Sequence, residues 1–277
     1  MIPIERQIFI YQYVQTHQLV TIETLIEQLN VSAMTIRRDI QILEKEGKII
    51  SVSGGIKIRQ ALIEEPSYQE KLVLNQSQKA AIGQASATLI KDSLQKSTGL
   101  TLYLDAGTTC FEIAKAMMQY LSTKIYPPLT VISNDFAIIT YLTLQAPRVH
   151  SPFSLFHTGG EVDLRNASAV GNYAAEFISH FNLDLAFIST SSWDLVRGIS
   201  TPSAAKISVK ENLLKACGQC ILVSDSSKYG EYGRFKICDL TAFDCIITDW
   251  KLPKAVQDTL ALLPVKLLIV DDIGDID

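Results

Sequence analysis

Seven short apolar runs, separated by stretches with helical spacing, occupy the sequence from residue 100 onward. The runs cover residues 100–104, 129–132, 155–157, 185–188, 221–223, 245–247 and 265–270. The helical stretches cover residues 109–121, 135–144, 168–180, 204–216 and 254–262. Strands and helices that alternate along a chain assemble into a parallel sheet covered by helices. The pattern therefore predicts an α/β domain, Rossmann-like, with a mostly parallel sheet.

The first sixty residues follow a different pattern. Apolar side chains at helical spacing predict a helix over residues 4–17, Thr21 can cap a second helix, and Ser32 can cap a third. Residues 48–58 then alternate about a Gly-Gly pair at 54–55, which predicts a β-hairpin. Three helices followed by a hairpin are the element order of a winged helix-turn-helix domain.

The third predicted helix leaves polar and cationic side chains exposed once its apolar stripe is buried. Small residues allow close approach to DNA, and arginine binds guanine edges or phosphates. An ordinary solvent-exposed helix face is the alternative. The predicted DNA contacts are Ser32, Thr35, Arg37, Arg38, Gln41 and, at the start of the wing, Lys48.

The net charge of −4 does not by itself favour a nucleic-acid partner. Residues 1–60 carry seven Lys or Arg and six Asp or Glu, whereas the remaining residues carry 18 and 23. DNA binding therefore has to depend on a few well-placed cations of the third helix and the wing.

The mean hydropathy is positive, at +0.18, which raises the question of a membrane segment. No apolar run reaches the roughly 18 residues that a membrane-spanning helix needs. The first residues also contain no apolar segment of the kind found in signal peptides. We therefore expect a cytoplasmic protein without a membrane partner.

The turn that follows the first predicted strand, at 105–109, reads Asp-Ala-Gly-Thr-Thr and leads directly into a helix. Gly107 permits a close backbone turn, and Thr108 and Thr109 offer hydroxyl groups beside the unpaired N–H groups of a helix start. This arrangement suits a phosphate or another anion. It suits a plain helix cap equally well. This turn matches neither the P-loop motif G-x-x-x-x-G-K-[ST] nor the dinucleotide-binding motif G-x-G-x-x-G, so we expect no cofactor.

Polar turns also follow the later predicted strands. Asn134 follows the second strand, a Gly-Gly pair at 159–160 follows the third, and the turn from Asp225 to Lys228 follows the fifth. Ligands of such sheets bind at the carboxyl ends of the strands. Several polar turns at one sheet edge, including a lysine able to meet a phosphate, favour a small anionic ligand.

The motifs of the N-terminal region resemble those of the DeoR family of bacterial transcriptional regulators. They are Val31-Ser-Ala-Met-Thr-Ile-Arg-Arg-Asp-Ile, then Leu43-Glu-Lys-Glu-Gly, then Gly54-Gly55. Ala33 departs from the acidic residue that many members have after the serine. The resemblance implies that Ser32, Thr35, Arg37 and Arg38 face operator DNA.

The resemblance extends to the C-terminal region through Asp-x-Gly-Thr-Thr, Ser133-Asn134, Gly159-Gly160, Asp184-x-Ala-Phe, Asp225-x-Ser-Lys-Tyr-Gly and Ile247-Thr-Asp. The effector domain of this family is similar to ribose-5-phosphate isomerases and binds phosphorylated sugars or polyols. The contacts implied are Asp105, Gly107, Thr108, Thr109, Asn134, Gly160 and Lys228. Lys206 and Lys210 are further candidates that could equally be solvent-exposed helix lysines.

The likeness to isomerases makes a sugar-phosphate isomerase the alternative function. Such a reaction needs a positioned carboxylate to move a proton between carbons. The isomerases carry an Asp-Gly-Ala-Asp-Glu loop, and the similar stretch here, 189–194, keeps one acid, Asp194. We therefore predict a repressor of a sugar or polyol operon with no catalytic residue. It would act as a homo-oligomer, a dimer or tetramer, with residues 1–58 as the DNA-binding domain, 59–75 as a linker and 76–277 as the effector domain.

Five cysteines, at 110, 217, 220, 238 and 245, form an odd set. Reduced thiols are the simplest expectation for a cytosolic protein. Cys217 and Cys220 have the C-x-x-C spacing, so metal or redox chemistry is the alternative. A structural zinc site would need a second such pair, and the four histidines show no metal spacing either, so we predict no metal.

Overall fold

A computed structural model describes residues 2–17, 19–46, 48–52, 55–58 and 65–272. The N-terminal elements are α1 (Pro3–His17), α2 (Ile22–Leu29), α3 (Ala33–Lys45), β1 (Ile49–Val52) and β2 (Gly55–Ile58). The two strands form an antiparallel hairpin. This order confirms the predicted helix-turn-helix with a wing. Gly54 of the predicted turn and residues 59–64 of the predicted linker lie outside the described residues.

The three N-terminal helices and the hairpin share one small core. Its buried members are Ile10, Val14, Val20, Leu25, Ile36, Ile40, Leu43, Ile49 and Ile56. Thr21 and Ser32 cap α2 and α3, because each side-chain oxygen accepts a hydrogen bond from the backbone N–H three residues later. The predicted caps of both helices are thus present.

A largely buried ion pair joins α1 to α3. Asp39 on α3 is 2% exposed, and its carboxylate accepts hydrogen bonds from Arg6 Nε and, at 3.0 Å, from Gln7 Nε2 on α1. Burying a charge is costly unless it is paired and hydrogen-bonded. Asp39 therefore ties α3 to α1 and leaves the neighbouring Arg37 and Arg38 exposed.

The larger region is built on a seven-stranded parallel sheet with the order β14-β13-β11-β8-β3-β4-β5. These strands are β3 (Leu100–Leu104), β4 (Leu129–Ser133), β5 (Phe153–His157), β8 (Leu185–Ser189), β11 (Cys220–Val223), β13 (Cys245–Asp249) and β14 (Lys266–Val270). All seven predicted strands are present. The structure confirms the predicted α/β fold class with a parallel sheet.

Five further strands form two small sheets outside the large sheet. A hairpin pairs β6 (Glu161–Asp163) with β7 (Ser168–Val170), and a three-stranded antiparallel sheet has the order β12-β10-β9. Its strands are β9 (Ser192–Asp194), β10 (Gly198–Thr201) and β12 (Phe235–Cys238). The prediction missed these elements, because none of the five contains three consecutive apolar residues.

Helices cover both faces of the large sheet. They are α4 (Tyr68–Val73), α5 (Gln76–Lys96), α6 (Thr108–Leu121), α7 (Phe136–Gln145), α8 (Gly171–Ser179), α9 (Ile207–Ala216) and α10 (Lys254–Leu260). Two buried clusters lie on the two faces, so Leu102 and Leu104 of β3 belong to one and Tyr103 to the other. Strands covered on both faces read as continuous apolar runs, which is why the sequence marked them.

The structure differs from the predicted linker at residues 65–75. Ser67 caps α4 in a capping box with Glu70, and the backbone N–H of Tyr68 donates to Arg165 O at 2.9 Å. The helix is only six residues long, too short for an apolar period to be visible in the sequence. The domain boundaries at 58 and 76 stay predictions.

The structure records a disulfide between Cys217 and Cys220, so the expectation of reduced thiols is wrong for this pair. Cys217 follows α9 and Cys220 opens β11, and the turn between them holds their Cα atoms 6.1 Å apart, within the range of a disulfide. Cys110, Cys238 and Cys245 are free thiols. Among the described residues, no group of three or more His, Cys, Asp or Glu side chains could hold a metal ion.

None of the described helices is both long and apolar enough to cross a membrane.

We expect Asp39→Asn to destabilise the N-terminal domain, because it leaves the buried Arg6 guanidinium without a counter-charge. Breaking a buried ion pair costs about 3 kcal/mol or more. Backbone amides of α1 and α3 should then exchange with deuterium about a hundredfold faster, as hydrogen-exchange mass spectrometry can measure.

Asp258→Asn is the matched control. Asp258 pairs with Lys254 at 2.9 Å, but both side chains are more than half exposed, and such pairs contribute little. Unchanged exchange in α1 and α3 of Asp39→Asn would contradict the stabilising role of the buried pair.

Candidate functional site

The exposed face of α3 carries most of the predicted DNA contacts. Ser32 Oγ accepts from Thr35 N at 3.2 Å and lies 2.9 Å from Thr35 Oγ1, so both hydroxyl groups sit at the start of the helix. Arg37, Arg38 and Gln41 are exposed along the same helix. The opposite face is buried in the core. These five residues therefore form one polar and cationic surface, which we call the α3 surface.

Lys48 lies apart from the start of α3, beyond the other end of that helix. Its Nζ pairs with Glu46 at 2.8 Å, and half of its side chain is exposed. It also lines a shallow groove with α1 residues and with Pro253 of the C-terminal domain. The structure therefore places Lys48 beside the C-terminal domain, away from the residues at the start of the α3 surface.

A cavity of about 290 Å³ opens at the carboxyl edge of the large sheet. The turns after β3, β4, β8 and β11 form its floor, and α4, the start of α5 and α9 form its walls. β3 and β8 are adjacent in the sheet, and the chain proceeds in opposite directions from them, to β4 on one side and β11 on the other. Such a reversal opens a crevice at the strand ends, the usual ligand position in these folds.

Asp105 and Lys210 form a buried ion pair at the floor of this cavity. Their side chains are 2% and 7% exposed. Asp105 Oδ2 also accepts from Ser189 N at 3.0 Å, and Lys210 Nζ donates to Ser189 O at 2.8 Å. The pair therefore joins the ends of β3 and β8 to α9. Both residues line the cavity.

Gly107 directly precedes α6 and has a backbone conformation that few other residues adopt. Its φ is +142°, and a Cβ atom there would lie 3.2 Å from Ser189 Oγ. Its N–H donates to Asp135 Oδ2 at 3.0 Å. Thr108 and Thr109 follow as the first helical residues and line the cavity. The backbone N–H groups of the first turn of a helix have no partner within the helix, so those of Thr108 and Thr109 could bind an anion.

Asp135 is a buried carboxylate that anchors this turn. Besides Gly107, it accepts from the backbone N–H groups of Ala137 and Ile138 at 2.8 and 3.0 Å. Burial raises its pKa to about 6, although these hydrogen bonds act in the opposite direction. The predicted site did not include Asp135, which fixes the turn at Gly107 through these hydrogen bonds.

Of the two predicted contacts Asn134 and Gly160, the structure places only Asn134 at the cavity. Asn134 lines the cavity, accepting from Ala106 N at 3.0 Å and donating to Ala169 O at 2.9 Å. Gly160 lies outside the cavity lining. Its φ is +116°, and a Cβ atom would come within 2.9 Å of Val170 O. The glycine at 160 therefore serves close packing against the start of α8, and the structure does not bring it to the predicted ligand.

Five lysines line the cavity: Lys71, Lys79, Lys206, Lys210 and Lys228. Lys79 is 5% exposed and donates to Lys71 O at 2.5 Å. Neither Lys79 nor Lys228 forms an ion pair within the part of the chain that the structure describes. Burial lowers the pKa of Lys79, with the nearby Asp225 carboxylate opposing the shift. The cavity thus offers cations that an anionic ligand could neutralise.

Glu65 lies between two of these lysines. Its Oε1 accepts from Lys71 Nζ, and its Oε2 accepts from Lys206 Nζ at 2.6 Å. Burial alone would raise the pKa of Glu65, but the two ammonium groups outweigh it and hold the value at about 2. Burial lowers the pKa of Lys71 to about 8, with Glu65 opposing the shift. Lys206, a weaker candidate in the sequence, is therefore a cavity residue.

Sequence reasoning missed the cavity residues contributed by the segment before and at the start of α5, namely Glu65, Tyr68, Lys71, Asn75 and Lys79. Asn75 donates to Asp225 Oδ1 and to Ser227 Oγ, each at 2.9 Å, which joins α5 to the turn after β11. None of the five follows a strand of the sheet, so the rule of polar strand ends could not find them.

Asp194, the acid on which an isomerase reaction would depend, serves a turn. Its Oδ1 accepts from the backbone N–H groups of Val196 and Arg197 at 2.8 and 2.6 Å. The residue lies outside the cavity lining, where Ser189, Thr190 and Ser191 face the ligand space.

Comparison with known proteins gives separate family matches for the N-terminal helices and for the region that contains the large sheet. Residues 6–61 match the DeoR-like helix-turn-helix domain family, and residues 74–250 match the DeoR C terminal sensor domain family. An HTH-type transcriptional regulator from Haemophilus influenzae is 41% identical over 270 residues, covering 98% of each chain. A putative aga operon transcriptional repressor from Escherichia coli O157:H7 is 28% identical, covering 97% of this chain and 94% of its own.

Among solved structures, ribose 5-phosphate isomerase A from Methanocaldococcus jannaschii is similar over 56% of this chain and 55% of its own. The TM-score is 0.39 and the identity 11%, too low to carry an argument about function. The two family matches and the 41% identity decide between a regulator and an isomerase. The chain belongs to the DeoR family of HTH-type transcriptional regulators.

Proposed function

We propose that this regulator binds operator DNA through the α3 surface and that a phosphorylated sugar or polyol bound in the cavity modulates this binding. The observation that carries the proposal is the cavity itself, where five lysines and the start of α6 converge at the carboxyl edge of the sheet. A phosphate group is the common anion that both lysines and helix N-termini bind.

The α3 surface has the features of a recognition helix. Its hydroxyl groups lie at the helix N-terminus, and Arg37 and Arg38 project from the solvent-exposed side of a helix whose other side is fixed by the core. Two such helices in a dimer or tetramer would reach two half-sites in successive major grooves. We propose repression as the mode of action, which is the role that the name of the aga operon relative gives to that protein.

The effector changes DNA affinity only if it binds the DNA-bound and free arrangements differently. The two regions are in contact, since Gln15 Nε2 of α1 donates to Tyr229 O at 3.5 Å. Tyr229 directly follows Lys228 of the cavity. A ligand that moves the turn at Lys228 therefore acts close to a contact between the two domains.

We expect Arg37→Ala to weaken operator binding. If Arg37 binds a base edge, the loss should be about 1–3 kcal/mol and sequence specificity should relax. If it binds phosphate, the loss should be similar on all sequences and the salt dependence shallower by about one counter-ion. Fluorescence anisotropy on a duplex selected in vitro, at several salt concentrations, distinguishes the two.

Arg148→Ala removes the same charge from an exposed position of the C-terminal domain and serves as the control. Equal DNA affinity of Arg37→Ala and the unaltered protein would remove α3 from the DNA interface.

We expect Lys228→Ala to weaken effector binding by about ten- to a hundredfold, since hydrogen bonds to charged groups contribute about 1.5–3 kcal/mol. A thermal-shift screen with pentose, hexose and polyol phosphates identifies the ligand, because binding raises the apparent stability. The same titration then compares Lys228→Ala with Lys215→Ala, an exposed lysine of α9 outside the cavity. Identical titrations of the two variants would exclude Lys228 from the site.

A further inference from the structure

Glu65 belongs to the stretch of chain that connects the wing to the sensor domain. It lies seven residues after the end of β2 and three residues before the start of α4. The following residues are held on the domain by the Ser67 cap and by the hydrogen bond from Tyr68 N to Arg165 O. Glu65 therefore lies in the chain between the wing and the contacts that Ser67 and Tyr68 make.

The Glu65 carboxylate is bound as a ligand anion would be. It is 10% exposed, and each of its oxygens accepts from one lysine, Oε1 from Lys71 and Oε2 from Lys206. Those two lysines are themselves only 16% and 13% exposed. Lys71 Nζ donates in addition to Asn166 Oδ1 at 2.5 Å. The carboxylate thus occupies a nearly dry subsite with two cations.

A phosphate group would satisfy this subsite better than the carboxylate does. It carries up to two negative charges and three terminal oxygens, whereas Glu65 supplies one charge and two oxygens. Lys228 is close enough that its charge, together with that of Lys206, disfavours the charged form of Lys71. One phosphate could therefore replace Glu65 at Lys71 and Lys206 and also neutralise Lys228.

We propose that Glu65 is a built-in competitor for the anionic group of the effector. In the ligand-free protein its carboxylate fills the subsite of Lys71 and Lys206, and an entering phosphate group displaces it. Displacement frees Glu65 from Lys71 and Lys206, and because Glu65 lies in the chain between the wing and α4, ligand entry is linked to the DNA-binding domain. The inference rests on the proposed function, because it takes the cavity as the effector site.

The first test measures binding of inorganic phosphate by isothermal titration calorimetry. We expect Glu65→Gln to bind phosphate about tenfold more tightly than the unaltered protein. In the unaltered protein the Glu65 carboxylate occupies the subsite in most molecules, which lowers the apparent affinity for phosphate, and the variant lacks this competing charge. Glu65→Asp keeps the charge but retracts the carboxylate by one methylene group, so its affinity should lie between the two. Asp258→Asn, which removes a carboxylate from an exposed ion pair, should leave phosphate affinity unchanged.

Equal or weaker phosphate binding by both Glu65 variants would overturn the inference and leave the cavity as an effector site. If phosphate bound to neither the unaltered protein nor the variants, the lysine cluster would not be an anion site. The proposed function would then fail as well.

The second test follows tryptic cleavage after Lys57 of β2, which precedes Glu65 in the chain. We expect phosphate to accelerate this cleavage severalfold in the unaltered protein. Glu65→Gln should be cleaved quickly without phosphate and should not respond to it. Cleavage that phosphate slows, or leaves unchanged in the unaltered protein, would show that Glu65 is not displaced.

Discussion

The buried ion pair between Asp105 and Lys210 holds together the parts on which the cavity depends. It joins the end of β3, the end of β8 through Ser189, and α9, which come from three distant stretches of the chain. Two charges in a nearly dry site are stable only as a hydrogen-bonded pair, and removing one partner would leave the other unpaired. The pair therefore fixes the crevice at the point where the sheet reverses its direction of growth.

The remaining lysines of the cavity differ in how completely they are neutralised. Asp105 neutralises the charge of Lys210, whereas Lys71 and Lys206 share the single carboxylate of Glu65. Lys79 and Lys228 add two further positive charges to the cavity, and Asp225 and Glu231 add two negative ones, so its five lysines exceed its four carboxylates by one. A cavity with incompletely neutralised cations in a low-dielectric setting attracts small anions more strongly than exposed lysines do. This gradation separates the structural lysine from the lysines available to a ligand.

The N-terminal domain likewise combines a buried, paired cation with exposed cations. Asp39 points inward and pairs with Arg6, whereas Arg37 and Arg38, two residues and one residue earlier, stay exposed. Successive residues of a helix point in directions about 100° apart, so neighbours in sequence can serve the core and the surface. The stretch from the wing to Glu65 is short, which gives the cavity a direct covalent connection to this domain.

The amino-acid sequence by itself determined the parallel sheet, the helix caps at Thr21 and Ser32, and the polar turns of the cavity floor. It did so because strands buried on both faces read as apolar runs, and because the turns after them meet at one edge. Only the tertiary structure decided that Glu65, Lys71 and Lys79 line the cavity and that Gly160 packs outside it. These placements depend on how a short helix docks across the strand ends, and contacts between distant parts of the chain leave no periodic signal in the sequence.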